Sequence, residues 1–181
     1  MPDVLTPAQR HRCMSHIRSK ATKPEMAVQR WLWAHGYRYR LNVKSLPGKP
    51  DIVIGRYKVC IFVNGCFWHG HNATFVTDME GRTNATDSAC CKTPVTHRNF
   101  WAAKIQRNIE RDMQVRLTLE EMGWHCITVW ECSLRPAARE ETLRTIEQTI
   151  RYFRPTSHRY TAAPGRLPLA AERGAEYCKK R

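Results

Sequence analysis

The sequence predicts a mixed α/β domain, and three features of it carry that prediction. Segments with helical spacing stand near both ends of the chain, short continuous apolar runs lie between them, and a long amphipathic segment separates two of those runs. At 181 residues the chain is long enough for one domain with its own core.

The elements follow in order. Thr6-Pro7 opens a helix, with Thr as the N-cap and Pro in the first turn, and Met14 and Ile17 lie among Arg10, Arg12, Arg18 and Lys20. Thr22 and Glu25 form a Thr-x-x-Glu capping box for a second helix that ends at Gly36. Residues 37–43, YRYRLNV, alternate aromatic with basic side chains and read as a strand. The turn SLPGKPD delivers Asp51 to the next strand. Ile52-Val53-Ile54 and Val59 to Val63 are apolar throughout, as in central strands buried on both faces. Residues 73–89 are polar and aperiodic and read as a loop inserted in the domain. A long amphipathic helix is expected from Thr96 to Gly123, then a strand over HCITVW (residues 125–130), then a helix over residues 137–153. The domain is therefore set at residues 1–154, and residues 155–181 form a basic tail without pattern, expected to be mobile.

Lys and Arg number 30 against 16 acidic residues, a formal charge of +14. That excess points to a polyanionic partner, most often nucleic acid, although a solvated basic surface or tail adds to the same total. No signal-peptide pattern and no membrane-length apolar run is present, so a cytoplasmic protein without a membrane role is expected. The eight cysteines then read as thiols or metal ligands and not as disulfides.

Cys66 and His71, with Cys90-Cys91 and Cys132 downstream, supply the soft donors of a structural zinc site. Cys60, Cys126 and Cys13 fit small buried hydrophobes instead. Asp51 either caps its turn or offers a carboxylate to Mg²⁺. Glu25 is explained by its capping box alone, and His69 is either a general base or a competitor for zinc. Phe67 and Trp68, in a loop pinned by metal, suit stacking on or wedging between bases, or else they cover the core.

Taken together, MSHIRSKATKPE, SLPGKPDIV, CIFVNGCFWHGH, FWAAKIQRNIERD and GWHCITVWEC resemble, in that order, the very-short-patch repair (Vsr) DNA mismatch endonucleases. The resemblance spans about residues 6–150, and GCFWHGH with VWEC is its most specific part. It implies a PD-(D/E)xK restriction-endonuclease-like fold with a mixed sheet between helices. It also implies a Mg²⁺-dependent nick in duplex DNA, 5′ of the thymine of a T:G mismatch, which starts repair of deaminated 5-methylcytosine. Asp51 and the Val63 carbonyl match the Mg²⁺ ligands, His69 the group that activates water, and Glu25 an acid that holds metal-bound water. Phe67, Trp68 and Trp101 match aromatics that wedge into DNA beside the mismatch, and Met14 and Ile17 match a helix that closes over the minor groove. Lys104 and Asn108, on the Trp101 face of one helix, match residues that read the wobble pair. Double-stranded DNA with a T:G mismatch is then the expected partner, other repair proteins are further candidates, and the chain is expected to act as a monomer.

Two positions depart from the family pattern. Asn64 stands where a histidine is usual, so proton transfer to the leaving oxygen is lost there and an altered rate or pH dependence is expected. Ala73 stands where a zinc cysteine is usual, so the zinc ligands become Cys66, His71, Cys132 and either Cys90 or Cys91, with Cys91 preferred. Two other functions fit the same sequence. One is a related endonuclease acting on unmismatched DNA in a restriction system, and the other is a zinc-stabilised DNA-binding protein that does not cut.

Overall fold

The computed structural model describes residues 6–15, 21–77, 79–80, 83–94 and 97–153. The chain runs α1 (Pro7–Ser15), α2 (Lys23–Ala34), β1 (Arg40–Leu41), β2 (Ile52–Ile54) and β3 (Val59–Asn64). It continues through β4 (Thr74–Thr77), β5 (Thr83–Thr86), α3 (Arg98–Glu121), β6 (His125–Trp130) and α4 (Arg139–Tyr152).

The main sheet has the order β1-β2-β3-β6, antiparallel except where β6 joins β3 in parallel. A parallel neighbour needs a crossover, and the β4–β5 hairpin and α3 supply it. Residues on alternate sides of each strand meet different helices. Ile52, Ile54, Val59, Ile61 and Val129 pack against Val28 and Leu32 of α2 and Leu143, Ile146 and Ile150 of α4. Val53 and Cys60 face the other way, onto Leu119 of α3 with Val115 and Trp124 beside it. Helices on both faces explain why β2 and the start of β3 are apolar without alternation.

Local signals set the helix ends. The Thr6 hydroxyl accepts from the Gln9 amide at 3.3 Å, and Gln9 Oε1 accepts from the Thr6 amide at 2.9 Å. At α2 the Thr22 hydroxyl accepts from the Glu25 amide at 3.4 Å. The returning Glu25 carboxylate takes the Thr22 hydroxyl at 2.8 Å and the Ala21 amide at 2.9 Å.

Two elements differ from expectation. The strand expected over residues 37–43 shortens to Arg40–Leu41, because the residues before it close α2 and do not join the ladder. The Tyr37 amide donates to the Leu32 carbonyl at 2.9 Å, and the Tyr39 hydroxyl donates to the Gln29 carbonyl at 2.9 Å. The segment read as a loop, residues 73–89, contains an antiparallel hairpin in which Thr74 pairs with Thr86 and Thr77 with Thr83. β-Branched threonines with Phe75 and Val76 favour extended backbone, though they show no simple alternation. Ile17 and the tail over residues 155–181 lie outside the described residues.

The topology gathers chemistry at one edge. Asn64 pairs with Trp130 where β3 and β6 end side by side, and antiparallel β2 begins there with Asp51.

Candidate active site and metal centre

A cleft of about 1330 Å³ opens at that edge, and Glu25, Asp51, Asn64, Trp68, His69 and Asp112 are among the residues lining it. Asp51 Oδ2 accepts the Val63 amide at 2.8 Å, which fixes the carboxylate beside the Val63 backbone. Burial pushes the Asp51 carboxyl above its usual range. The Val63 hydrogen bond opposes that shift, the Glu25 charge adds to it, and His69 and Lys49 oppose it. Glu25 is only 5 % exposed, so the capping box presents its carboxylate to the cleft from a rigid helix end. The Asp51 carboxylate and the Val63 backbone carbonyl are hard oxygen donors of the kind a Mg²⁺-type ion takes. They fit such an ion at this position.

His69 Nδ1 is hydrogen-bonded to Asp112 Oδ2, and Arg111 reaches the other carboxylate oxygen at 3.1 Å. Burial alone would raise the Asp112 carboxyl, but the His69 bond and charge, followed by those of Arg111, hold it below its usual range. An imidazole that donates Nδ1–H to a carboxylate keeps its lone pair on Nε2, the arrangement a general base needs. His69 thus stands apart from the cysteine cluster. Asp112 was not singled out in the sequence. The helical spacing that aligns Trp101, Lys104 and Asn108 does extend to it, so a signal was present.

The sulfur and nitrogen donors lie on the other side of the loop. Cys66, His71, Cys90 and Cys132 bring their ligand atoms within 4.8 Å of one another. His71 Nδ1 lies 3.2 Å from the sulfurs of Cys90 and Cys132 and 3.7 Å from that of Cys66. Tetrahedral zinc bonds of ordinary length separate nitrogen and sulfur by about 3.5 Å, so the cluster could hold zinc with little adjustment. The cluster takes in Cys90 and not the preferred Cys91, which is fully buried with its sulfur pointing at the Phe67 carbonyl, 3.9 Å away. The two side chains diverge, so Cys90 lies 3.2 Å from His71 Nδ1 while Cys91 turns to the Phe67 carbonyl. Burial pushes the Cys66 thiol up to about 12, a preference that a coordinated cation inverts by holding the thiolate. Trp130 stacks on His71 with centroids 4.1 Å apart and orients its ring.

Between the two sites, Phe67, Trp68 and Trp101 are half-buried and pack on one another, with centroids 5.0, 5.5 and 6.0 Å apart. Lys104 Nζ lies 5.4 Å from the Trp101 centroid and 5.6 Å from that of Trp68. Asn108 donates to the Trp68 carbonyl at 3.0 Å, which ties the loop to α3. Met14 falls on α1. Asn64 lines the cleft from the last position of β3. Gly70, also unremarked in the sequence, lets the loop approach α3 closely: a Cβ there would stand 2.7 Å from Ile109 Cδ1 and 2.9 Å from Phe75 Cε2.

Comparison with known proteins agrees with this geometry. The family model described as DNA mismatch endonuclease Vsr matches residues 2–74. A type II nicking enzyme, V.NmeAIP, of Neisseria meningitidis serogroup A is 39% identical over 150 residues, covering 82% of this chain and 96% of that protein. The type II nicking enzyme V.XorIIP of Xanthomonas oryzae is 38% identical over 147 residues, covering 81% and 97%. The DNA mismatch endonuclease Vsr of Escherichia coli K12 is 36% identical over 135 residues, covering 75% and 77%. With matches of this extent and a mixed sheet between helices that carries the cleft, the chain is an endonuclease that belongs to the Vsr family.

Proposed function

We propose that this endonuclease nicks one strand of duplex DNA 5′ of the thymine in a T:G mismatch, by Mg²⁺-dependent hydrolysis, and so starts repair of deaminated 5-methylcytosine. One observation carries the reading: a single cleft holds Asp51, Glu25 and the His69–Asp112 pair, with the Trp68 ring on its wall. Asp51 and the Val63 carbonyl would hold Mg²⁺, which when bound neutralises charge on the phosphate and acidifies a water. Glu25 would orient a water in the cleft, and His69 Nε2 would take its proton while Asp112 fixes the tautomer. Asn64 can donate or accept a hydrogen bond but cannot ferry a proton at neutral pH. Zinc in the closed set of Cys66, His71, Cys90 and Cys132 would be structural, with no open position for substrate.

Phe67, Trp68 and Trp101 wedge beside the mismatch, where weaker stacking lowers the cost of parting the bases. Met14 and Ile17 close over the minor groove. Lys104 and Asn108 read the wobble pair, Asn108 through the amide oxygen that its bond to Trp68 leaves available. The chain acts as a monomer.

The test is a strand-specific nicking assay on T:G and matched duplexes with Mg²⁺. Cutting of the mismatched duplex alone, abolished in Asp51→Ala with binding kept, is the expected result. Mismatch-selective binding without a nick under any divalent ion would replace this reading with that of a binding protein. The relatives named type II nicking enzymes support a single-strand cut. They also favour the second reading, a restriction-linked nickase, which equal nicking of matched DNA would establish.

A further inference from the structure

The cleft that must admit a polyanion is poor in positive charge. Among the described residues along it, Glu25, Asp51, Asp112 and Glu131 are carboxylates, and only Arg111 and Arg116 are guanidiniums. Four against two leaves a formal charge of −2 with His69 counted neutral, inside a chain whose total is +14. A divalent ion held by Asp51 would offset that excess at the scissile phosphate. The phosphates on either side of it still meet acidic walls and need a cation of their own.

Arg116 is not placed for this. Glu120 takes its Nε at 2.8 Å, and its charge falls near Cys126, which pairs with Cys60, four positions before Asn64 on β3. Arg111 is placed for it. Its Nη2 donates to Asp112 Oδ1 at 3.1 Å, and the other oxygen of that carboxylate holds His69 Nδ1. A guanidinium carries five N–H donors, so four remain once Asp112 has taken one. The side chain is 62 % exposed and lines the cleft, which leaves those donors accessible from it. Adding the two bonds to the widths of a carboxylate and an imidazole puts the guanidinium within about 10 Å of His69 Nε2. Three nucleotide steps of one strand rise about 10 Å. Arg111 also follows Lys104 by two turns of α3, about 10 Å along the same stripe, so both cations face one side of the helix.

We propose that Arg111 is a substrate-positioning residue that grips a phosphate flanking the scissile one, with Asp112 holding its guanidinium in place. Phosphate contacts of this kind fix register without reading sequence. A planar fork braced at one edge by a carboxylate keeps another edge for phosphate oxygens. Asp112 then serves both partners, the imidazole on one oxygen and the guanidinium on the other. The inference rests on the proposed cut taking place in this cleft, and the experiment below separates the two.

The experiment measures the affinity of the full chain for T:G duplexes in which one phosphate at a time is replaced by an uncharged methylphosphonate, without divalent ion. In the unaltered chain, replacement of the gripped phosphate is expected to weaken binding about tenfold. In Arg111→Ala the same replacement is expected to cost nothing further, while replacements elsewhere cost both chains alike. Arg111→Ala should also flatten the plot of log K against log salt by about 0.9, and Arg111→Lys should keep the slope. Alanine suits an exposed helix interior, so the variant is expected to melt as the unaltered chain does. Should it melt early, Arg111→Gln, which keeps the stem and loses the charge, takes its place. Equal losses in both chains at every position overturn the inference, as does coupling only at phosphates remote from the nick. So does unchanged affinity and slope with slower nicking at saturating DNA, because Arg111 would then only brace Asp112. Nicking of T:G and matched duplexes by the unaltered chain tests the proposed function separately. Coupling at one phosphate without any nick would sink that reading and leave the phosphate contact standing.

Discussion

Gly70→Ala should destabilise the chain more than Gly36→Ala, and the difference isolates steric crowding from backbone strain. Both glycines have left-handed backbone, φ +62 at Gly70 and φ +82 at Gly36, so a Cβ at either costs about 1–2 kcal/mol. At Gly36 nothing lies within 4 Å of the added atom, and strain is the whole effect. At Gly70 the atom meets Ile109 Cδ1 at 2.7 Å, Phe75 Cε2 at 2.9 Å and Ile105 Cγ2 at 3.0 Å. The Ile109 methyl can swing aside, whereas the Phe75 ring and the branched Ile105 carbon cannot all move without opening the hairpin from α3. Overpacking of this kind adds about 1–3 kcal/mol. For a chain of this size that is a further fall in melting temperature of roughly 3–10 °C. Urea unfolding and thermal melts of the three proteins, at one zinc concentration, measure it. Nicking should fall more in Gly70→Ala as well, because His69 and His71 flank the position. Equal destabilisation by the two substitutions, within about 0.5 kcal/mol, would refute the crowding argument.

Three other outcomes are expected. Asp112→Asn should lower the nicking rate by about 10²–10⁴-fold with DNA affinity retained, as loss of a positioned base does; single-turnover kinetics with binding isotherms check it. The same variant carries a pH signature. The folded-state depression of Asp112 gives stability that is present above the unfolded value near 4 and lost as pH falls through the lower folded value. The gap between parent and variant in urea titrations should therefore be full near neutrality and shrink below about pH 4. Cys90→Ser should lose bound zinc by metal analysis while Cys91→Ser keeps it, and the reverse result would return the fourth ligand to Cys91. Asn64→His should change the shape of the pH–rate profile, and an unaltered profile counts against a proton-transfer role at that position.

What could be read in advance was local or repetitive. The α2 cap is a four-residue pattern, and strands covered on both faces show as unbroken apolar runs at Ile52–Ile54 and Val59–Ile61. What could not be read depends on where a chain turns in space. Tyr37 and Tyr39 look like strand residues until the closure of α2 takes both. Cys90 and Cys91 are adjacent and chemically identical, and only the path of the segment after the hairpin decides which faces His71. Asp112 lies 43 positions from His69, a contact that no periodicity announces, although its helical face was already marked by Trp101 and Lys104.

His71 and Cys90 meet at one point, so the hairpin between them leaves and re-enters the fold at the same place. A chain with a cysteine at position 73 would close the same quartet without the detour. The hairpin is thus a cassette hung on a common clasp, held from outside by Phe75 beside Gly70 and by Arg98 of α3, which donates to the Ala85 carbonyl at 2.9 Å and pairs with Asp87 at 3.4 Å. Its length and tip are free to diverge among related chains, since doubling such a loop costs only about 0.6 kcal/mol, while the sheet behind the clasp stays unaltered.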